Sequence, residues 1–288
     1  MPARRQALIA ACVDKGWTWD AVNEVLSKST IFVQLRVESG FLRLLGRTSV
    51  TSGDAPHRHQ MGPFTGYAIS IPSFKYPLTY EIFVFAREVY CVINYSVDLY
   101  QWCAFGKSTV DGLPGTGTWV GASGWGDSSS YYSGLKIGAD GDSDSLSYVC
   151  PALFWRNGGS APGTEAESLV HSNLDGNGWW WGETYSGGPV GILATVPLVR
   201  ILPNAWNSEA VLLPIRAYKR RPAGKISLTA DLEHARYTRI DNYEPGEVIT
   251  IGTDNWKVFP WFRKNSASPA GGYGHSGCLG WAIRYEGP

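Results

Sequence analysis

The stretch Thr79–Gly106, which reads TYEIFVFAREVYCVINYSVDLYQWCAFG, decides the fold. It is dense in Val, Ile, Phe, Tyr and Trp, whose branched and aromatic side chains favour the pleated β-strand. It divides into three runs, Tyr80–Ala86, Glu88–Tyr95 and Asp98–Phe105, and the connections between them are short enough for hairpins. We therefore predict an antiparallel meander at the centre of the protein.

Both faces of this predicted sheet carry apolar side chains. Tyr80, Ile82 and Val84 point to one face of the first run, and Phe83 and Phe85 point to the other. A sheet that is apolar on both faces must be covered twice, by other strands, by helices or by partner chains. We interpret this sheet as the core of the fold, with an architectural role.

Two short helices are predicted ahead of the sheet. The first is Ala3–Lys15, with Gly16 as its C-terminal stop. The second runs from Thr18, a candidate N-cap, to about Lys28. Its apolar stripe consists of Trp19, Val22 and Leu26.

The rest of the chain is predicted to form strands and loops. Further strands are expected at Thr30–Val37, Phe41–Leu45, Gly66–Ile71, Ile192–Ile201, Ala210–Ala217, Glu247–Gly252, Trp256–Arg263 and Cys278–Tyr285. Pro260 lacks an N–H group, which predicts an edge position for its strand. The basic triplet Lys219–Arg221 is interpreted as a solvated connection. The predicted fold class is mainly β: antiparallel, sandwich-like or barrel-like sheets with a short N-terminal helical segment and long Gly-rich loops.

The domain prediction is one β-rich structural unit over residues 1–288. It subdivides into a helical arm (1–28), a core sheet (29–110), a Gly/Trp-rich excursion (111–190) and a second β layer (191–288). The excursion is rich in Gly, Ser and Asp but also carries aromatic residues, which simple disorder lacks. We therefore expect it to be ordered by its own rings or by a partner.

Composition favours a protein that works through contacts with other proteins. The formal net charge is zero and only 17% of residues are charged, which argues against a nucleic-acid binder. Aromatic residues make up 13% of the chain, and exposed aromatic patches usually mark interfaces. The candidate interface residues are Trp125, Trp179, Trp180 and Trp181. For the Trp179–Trp181 cluster, internal packing and a sugar-stacking platform are alternatives.

Cysteine usage and hydropathy indicate the cellular compartment in which the chain folds. The five cysteines are odd in number and include no CxxC pair, so they fit neither a disulfide framework nor a zinc site. Cys91 and Cys103 lie within predicted strands and are expected to be buried in a chain that folds in a reducing compartment. The N-terminus does not have the pattern of a signal peptide, and no apolar run approaches the roughly 18 residues of a membrane span.

Two stretches, one rich in histidine and one acidic, are candidate metal sites. His57-Arg58-His59, near Asp54, offers too few ligands for zinc. Asp140–Asp144 resembles the opening of a calcium loop, but the turn glycine and the bidentate glutamate are missing. Both are interpreted as solvated loops, and we expect neither a metal nor a cofactor.

The sequence also lacks the common catalytic motifs. It contains no GxSxG elbow, P-loop, HExxH or GxGxxG after a strand. Glu81, Asp98 and Glu183 are carboxylates that spacing alone does not pair. The expectation is a protein that is not an enzyme, and no catalytic residue is assigned.

Three segments carry a resemblance to a known class of proteins. They are EVYCVINYSVDLYQWCAFGKS (88–108), GEVITIGTDNWKVFPWFRKN (246–265) and the closing SGCLGWAIRYEGP (276–288). They are similar to patterns in virion structural proteins of tailed bacteriophages, in which an aromatic-x-x-Phe-Gly-Lys hairpin and an aromatic-x-Val-Phe-Pro run recur. The helix ending in Lys15-Gly16-Trp17 also fits. The resemblance implies a component of the tail, neck or baseplate and assigns no functional residue.

The expected function is therefore structural: an oligomeric ring or collar in a phage particle, assembled in the host cytoplasm and located in the virion. Its partners would be copies of itself and other virion proteins, with no nucleic acid and no membrane span. One alternative is a receptor-binding module that uses Trp179–Trp181 to bind a host glycan. A less favoured alternative is a cell-wall hydrolase with two facing carboxylates.

Overall fold

The computed structural model describes residues 2–55, 59–61, 78–110, 114–125, 156–157, 166–167, 171–173, 179, 189–190, 209–221, 225–267 and 276–287. In chain order, the elements are α1 (Pro2–Asp14), β1 (Thr18–Asp20), β2 (Val25–Lys28), β3 (Ile31–Glu38), β4 (Phe41–Arg47), β5 (His59–Met61), β6 (Thr79–Val84), β7 (Glu88–Ser96), β8 (Leu99–Lys107), β9 (Thr118–Ala122), β10 (Gly124–Trp125), β11 (Arg156–Asn157), β12 (Ala166–Glu167), β13 (His171–Asn173), β14 (Pro189–Val190), β15 (Leu213–Arg221), β16 (Lys225–Arg239), β17 (Val248–Ile251), β18 (Asp254–Pro260) and β19 (Leu279–Arg284). The fold is mainly β with a short N-terminal helix, as predicted.

The first predicted helix is confirmed, including its stop. At the end of α1, Gly16 has a φ of 80° and its N–H donates to the carbonyl of Val13 at 3.0 Å. The N–H of Trp17 donates to the carbonyl of Cys12 at 3.0 Å, which completes a Schellman motif. Trp17 and Cys12 are both buried, so the cap also carries the apolar contact typical of this motif.

The second predicted helix is wrong, because Thr18–Lys28 forms a β-hairpin. β1 and β2 pair antiparallel, with Trp19 opposite Leu26. A carboxylate oxygen of Asp20 accepts from the N–H groups of Val22 and Asn23 at 2.9 and 2.8 Å, which stabilises the turn instead of a helix N-terminus. Val22 lies in that turn and is 91% exposed, so the apolar stripe expected there does not form.

Most strands belong to three antiparallel sheets. The first sheet has the order β1-β2-β3-β4-β5-β10, the central sheet β13-β9-β8-β7-β6, and the third sheet β14-β15-β16-β19-β18-β17. β11 and β12 form a separate pair. The chain passes from the central sheet to the first sheet between β9 and β10, where the hydroxyl of Ser123 accepts from the N–H of Trp102 at 2.8 Å.

The predicted meander is the middle of the central sheet. β6 pairs with β7 and β7 with β8, both antiparallel, with Ile82 opposite Cys91 and Cys91 opposite Cys103. Asp98 closes the second hairpin with a φ of 53°, a conformation that Asp adopts more readily than most residues. β7 and β8 are buried along most of their length, so both faces of the sheet are covered.

Each face of the central sheet has a different cover. On one face, Phe105 meets Trp17 edge-on at a ring-centroid distance of 5.6 Å, beside the first sheet and α1. On the opposite face, Trp102 meets Trp261 and Trp281 of the third sheet at 6.1 and 5.8 Å. Because Trp102 and Phe105 lie on opposite faces of one strand, the central sheet is the middle layer of three.

The third sheet corrects two predictions. Lys219–Arg221 lies within strand β15 rather than in a connection, and its hairpin partner β16 extends over 15 residues that were not predicted as a strand. The strand with Pro260 is not at an edge, because β18 lies between β17 and β19. Pro260 is the last residue of β18, where a missing N–H removes little of the ladder.

Several predictions fall on other parts of the chain. The strands expected at Gly66–Ile71 and Ile192–Ile201 lie outside the described residues. So do most of the Gly/Trp-rich excursion and the long Gly-rich loops.

We predict that Trp102→Ala destabilises the protein by about 3–5 kcal/mol, because a large ring between two layers would leave a cavity. The measurement is denaturant unfolding followed by far-UV circular dichroism. Val97→Ala, in the hairpin turn before Trp102 and 85% exposed, is the control and should change stability by less than about 0.5 kcal/mol. Equal losses in the two variants would contradict the three-layer packing.

Candidate functional site

Of the four predicted interface tryptophans, the structure describes the side chain of Trp179 only. This ring is partly exposed and lies over β4, where a Cβ added at Gly46 would come within 2.5 Å of it. Its indole N–H donates to the carbonyl of Gly53 at 2.8 Å. Trp125 pairs through its backbone with His59, while Trp180 and Trp181 lie outside the described residues.

Much of the aromatic content is used inside the protein. Six tryptophans are at most 6% exposed: Trp17, Trp102, Trp119, Trp256, Trp261 and Trp281. The inference from composition, that abundant aromatics mark a surface buried against partners, therefore does not apply to these six. Five of them belong to the main core, and Trp256 belongs to a separate cluster with Ile249 and Val258.

The contact between the central and third sheets is an aromatic cluster. Trp261 stacks on Trp281 at a ring-centroid distance of 4.8 Å, and Tyr237 meets Trp261 edge-on at 5.8 Å. Tyr90 of β7 meets Trp281 at 5.8 Å. Such pairs contribute about 0.5–1.5 kcal/mol each beyond the area they bury, so this cluster is a strong joint between the layers.

A buried carboxylate lies beside this cluster. Glu88 is 1% exposed, and one of its oxygens accepts from the backbone N–H of Glu233 at 2.8 Å. The other oxygen accepts from the backbone N–H of His234 at 2.9 Å and from the Tyr90 hydroxyl at 2.9 Å. It also lies 2.7 Å from Nδ1 of His234. These contacts tie β7 to β16.

The side chains around Glu88 are held in place by further contacts. The His234 ring stacks on Phe85 at 3.9 Å with an interplanar angle of 11°. Burial, followed by the negative charge of Glu88, raises the pKa of Tyr90 well above its usual value, so the hydroxyl stays protonated and donates. Because these contacts join β7 to β16, we interpret Glu88 as a structural joint between the central and third sheets.

Three thiols meet between α1 and the central sheet. Cys12, Cys91 and Cys103 are buried and free, as expected for the two strand cysteines. Burial is the main cause that raises the pKa of the Cys12 thiol to about 12. A thiol that stays protonated at neutral pH is a poor nucleophile, so Cys12 acts as a small apolar side chain in this contact.

The structure describes only some residues of the two loops that were considered as metal sites. Asp54 pairs with Arg47, and His59 belongs to β5, whereas His57, Arg58 and Asp140–Asp144 lie outside the described residues. Within the described ranges, no three His, Cys, Asp or Glu side chains are placed to hold a metal ion.

The structure describes two of the three carboxylates that spacing left unpaired. Glu81 is 2.6 Å from Nζ of Lys257 and links β6 to β18, and Asp98 lies in a hairpin turn. Glu183 lies outside the described residues. Burial is the main cause that raises the pKa of Tyr100, and the negative charges of Asp98 and Glu81 both add to it, so these two carboxylates have Tyr100 as a common neighbour.

The third sheet ends in an exposed strand that the sequence did not mark as an edge. β17 pairs with β18 on one side, and Val248 and Ile251 are 40% and 39% exposed. The available signal was the sequence VITI, an uncharged β-branched run between Glu247 and Gly252. Because Pro260 lies in β18, the sequence predicted the edge at that neighbouring strand and not at β17.

Comparisons with known proteins leave the family open. No protein-family model matches the chain, and no curated protein matches it significantly. Among the described residues, no helix is both long and apolar enough to cross a membrane.

We predict that Glu88→Gln costs about 2–4 kcal/mol of unfolding free energy at neutral pH. The amide has nearly the same shape, but it carries no charge and turns an NH₂ group toward converging donors. Denaturant unfolding is the measurement. Glu233→Gln is the control, because that side chain is 53% exposed and its pair with Arg87 is 3.5 Å long. A loss for Glu88→Gln no larger than the control's would show that the joint contributes nothing to stability.

Proposed function

We propose that this protein is a structural component of a tailed phage particle, which assembles into an oligomeric ring or collar in the tail, neck or baseplate. Its partners would be copies of itself and other virion proteins. Its role would be to hold neighbours in position and to transmit force, without turnover of a substrate.

One observation carries this proposal: the segments that resemble phage virion proteins lie against each other. Residues 88–108 form β7 and β8, while residues 246–265 and 276–288 contain β17, β18 and β19. They meet through Trp102, Trp261 and Trp281. Segments about 150 residues apart in the sequence thus form one packing unit, which supports treating the resemblance as one pattern and not as unrelated short matches.

The test is the composition of the particle. We expect the chain in purified virions of a phage that encodes it, at a copy number that is a multiple of the ring symmetry, measured by quantitative mass spectrometry and located by electron cryo-microscopy. A non-structural phage enzyme encoded nearby serves as the control for contamination. Absence of the chain from intact particles would refute the proposal.

A receptor-binding role is the second candidate, and the geometry of Trp179 favours it. The ring is fixed by Gly46 beneath it and by its bond to Gly53, yet it stays partly exposed. A fixed, partly exposed indole can stack on the flat face of a sugar ring.

For this candidate we predict that the purified protein binds immobilised host glycans and that Trp179→Ala lowers the affinity at least about tenfold. A glycan array followed by titration of the best ligand is the measurement. Trp19→Ala, which alters a partly buried ring on the β1–β2 hairpin, is the matched control. No glycan bound by the unmodified protein, or equal loss in both variants, would exclude a sugar platform at Trp179.

A further inference from the structure

The edge strand β17 lacks the features that usually protect an exposed edge. Natural proteins place Lys, Pro or inward-pointing charges on such strands, but Val248–Ile251 contains none of these. The edge strand of the central sheet differs: β6 carries Glu81, which is paired with Lys257, and its Phe83 is buried. β17 is thus an apolar edge without these protective features.

The outward hydrogen-bonding groups of β17 follow from its pairing. The carbonyl of Asn255 accepts from the N–H of Tyr285 at 2.8 Å, so the backbone of Asn255 points toward β19. Its partner across the ladder is Thr250. In an antiparallel pair, residues opposite each other point their backbone groups either both toward each other or both away. Thr250 therefore points its N–H and C=O to the open side.

These groups suit an antiparallel copy of the same strand. A two-fold axis through Thr250 would place Thr250 opposite Thr250 of the second copy, with two backbone hydrogen bonds between them. It would also place Ile251 opposite Ile249 of the second copy, on the face that carries Trp256. Branched apolar residues directly opposite each other are a favourable cross-strand pair.

The position of Glu247 favours this register, and the net charge of the chain does not oppose the approach of a second copy. With the axis at Thr250, Glu247 lies opposite Thr253 of the second copy, so no two carboxylates face each other. With the axis one residue earlier, at Ile249, Glu247 would lie against Ile251 and lose hydration without a partner. The formal net charge of the chain is zero, so two copies approach without long-range repulsion.

We infer that β17 is a self-pairing edge, through which two copies of this chain join their third sheets into one continuous antiparallel sheet centred on Thr250. The inference rests on the proposed assembly role, because it names one contact that such a subunit would use. The two can fail separately: a chain found in virions but monomeric in solution would overturn the inference alone.

Sedimentation velocity of the full-length chain across the micromolar range is the first test. We expect a reversible dimer, and Ile251→Lys should raise its dissociation constant about tenfold or more, because it places a charge against Ile249 of the second copy. Val22→Lys, on a 91% exposed residue in the turn between β1 and β2, is the control and should leave the dissociation constant unchanged. A monomer at all concentrations, or a dimer that Ile251→Lys leaves intact, would overturn the inference.

Cross-linking tests the register. Thr250→Cys should form a disulfide-linked dimer with molecular oxygen and copper–phenanthroline, as two thiols lose two electrons and two protons to oxygen. The Cα separation of such a pair, about 5.5 Å, fits a disulfide. Val248→Cys is the matched control, because it faces Gly252 of the second copy, and the unmodified chain controls for native thiols. Equal yields for the two variants, or none for Thr250→Cys, would contradict the register.

Discussion

The structure depends on one constraint: a sheet that is apolar on both faces must be covered twice. β7 and β8 have little room for solvent on either side, so neither the first sheet nor the third can be removed without exposing the core. The two covers are chemically different. Cys12 of α1 and Trp17, which follows α1, lie against one face, while the third sheet places its aromatic cluster against the other.

Apolar packing alone leaves the relative position of two sheets weakly specified, because the hydrophobic effect has no direction. The hydrogen bonds of Glu88 are directional, and they fix this relative position. Its carboxylate accepts from two successive N–H groups of β16, at Glu233 and His234, so a shift of one sheet along the other would deprive a buried carboxylate of both donors. The cost of burying this group is thus tied to a single arrangement of the layers.

The sequence predicted the centre of the fold better than its margins, for physical reasons. In the meander and in α1, residue preference, periodicity and turn chemistry all indicate the same structure. In Thr18–Lys28 they conflict, since helical spacing of apolar residues coexists with Asp20, whose carboxylate stabilises a turn. Strand β16 was missed because its alternation is interrupted by charges and by register shifts against β15. The burial of Glu88 could not be predicted, because it depends on β16, which lies about 145 residues further along the chain.

Aromatic residues have more than one role in this fold. A three-layer β fold has two internal contacts, and large rings pack in both of them. An open strand edge exposes backbone groups whatever the composition of the chain, and those groups can be satisfied by water or by another strand. A short β-branched run without charge or proline is the sequence signal for an unprotected edge of this kind. In this chain β17 has that character, while most of the tryptophans that the structure describes do not face outward at all.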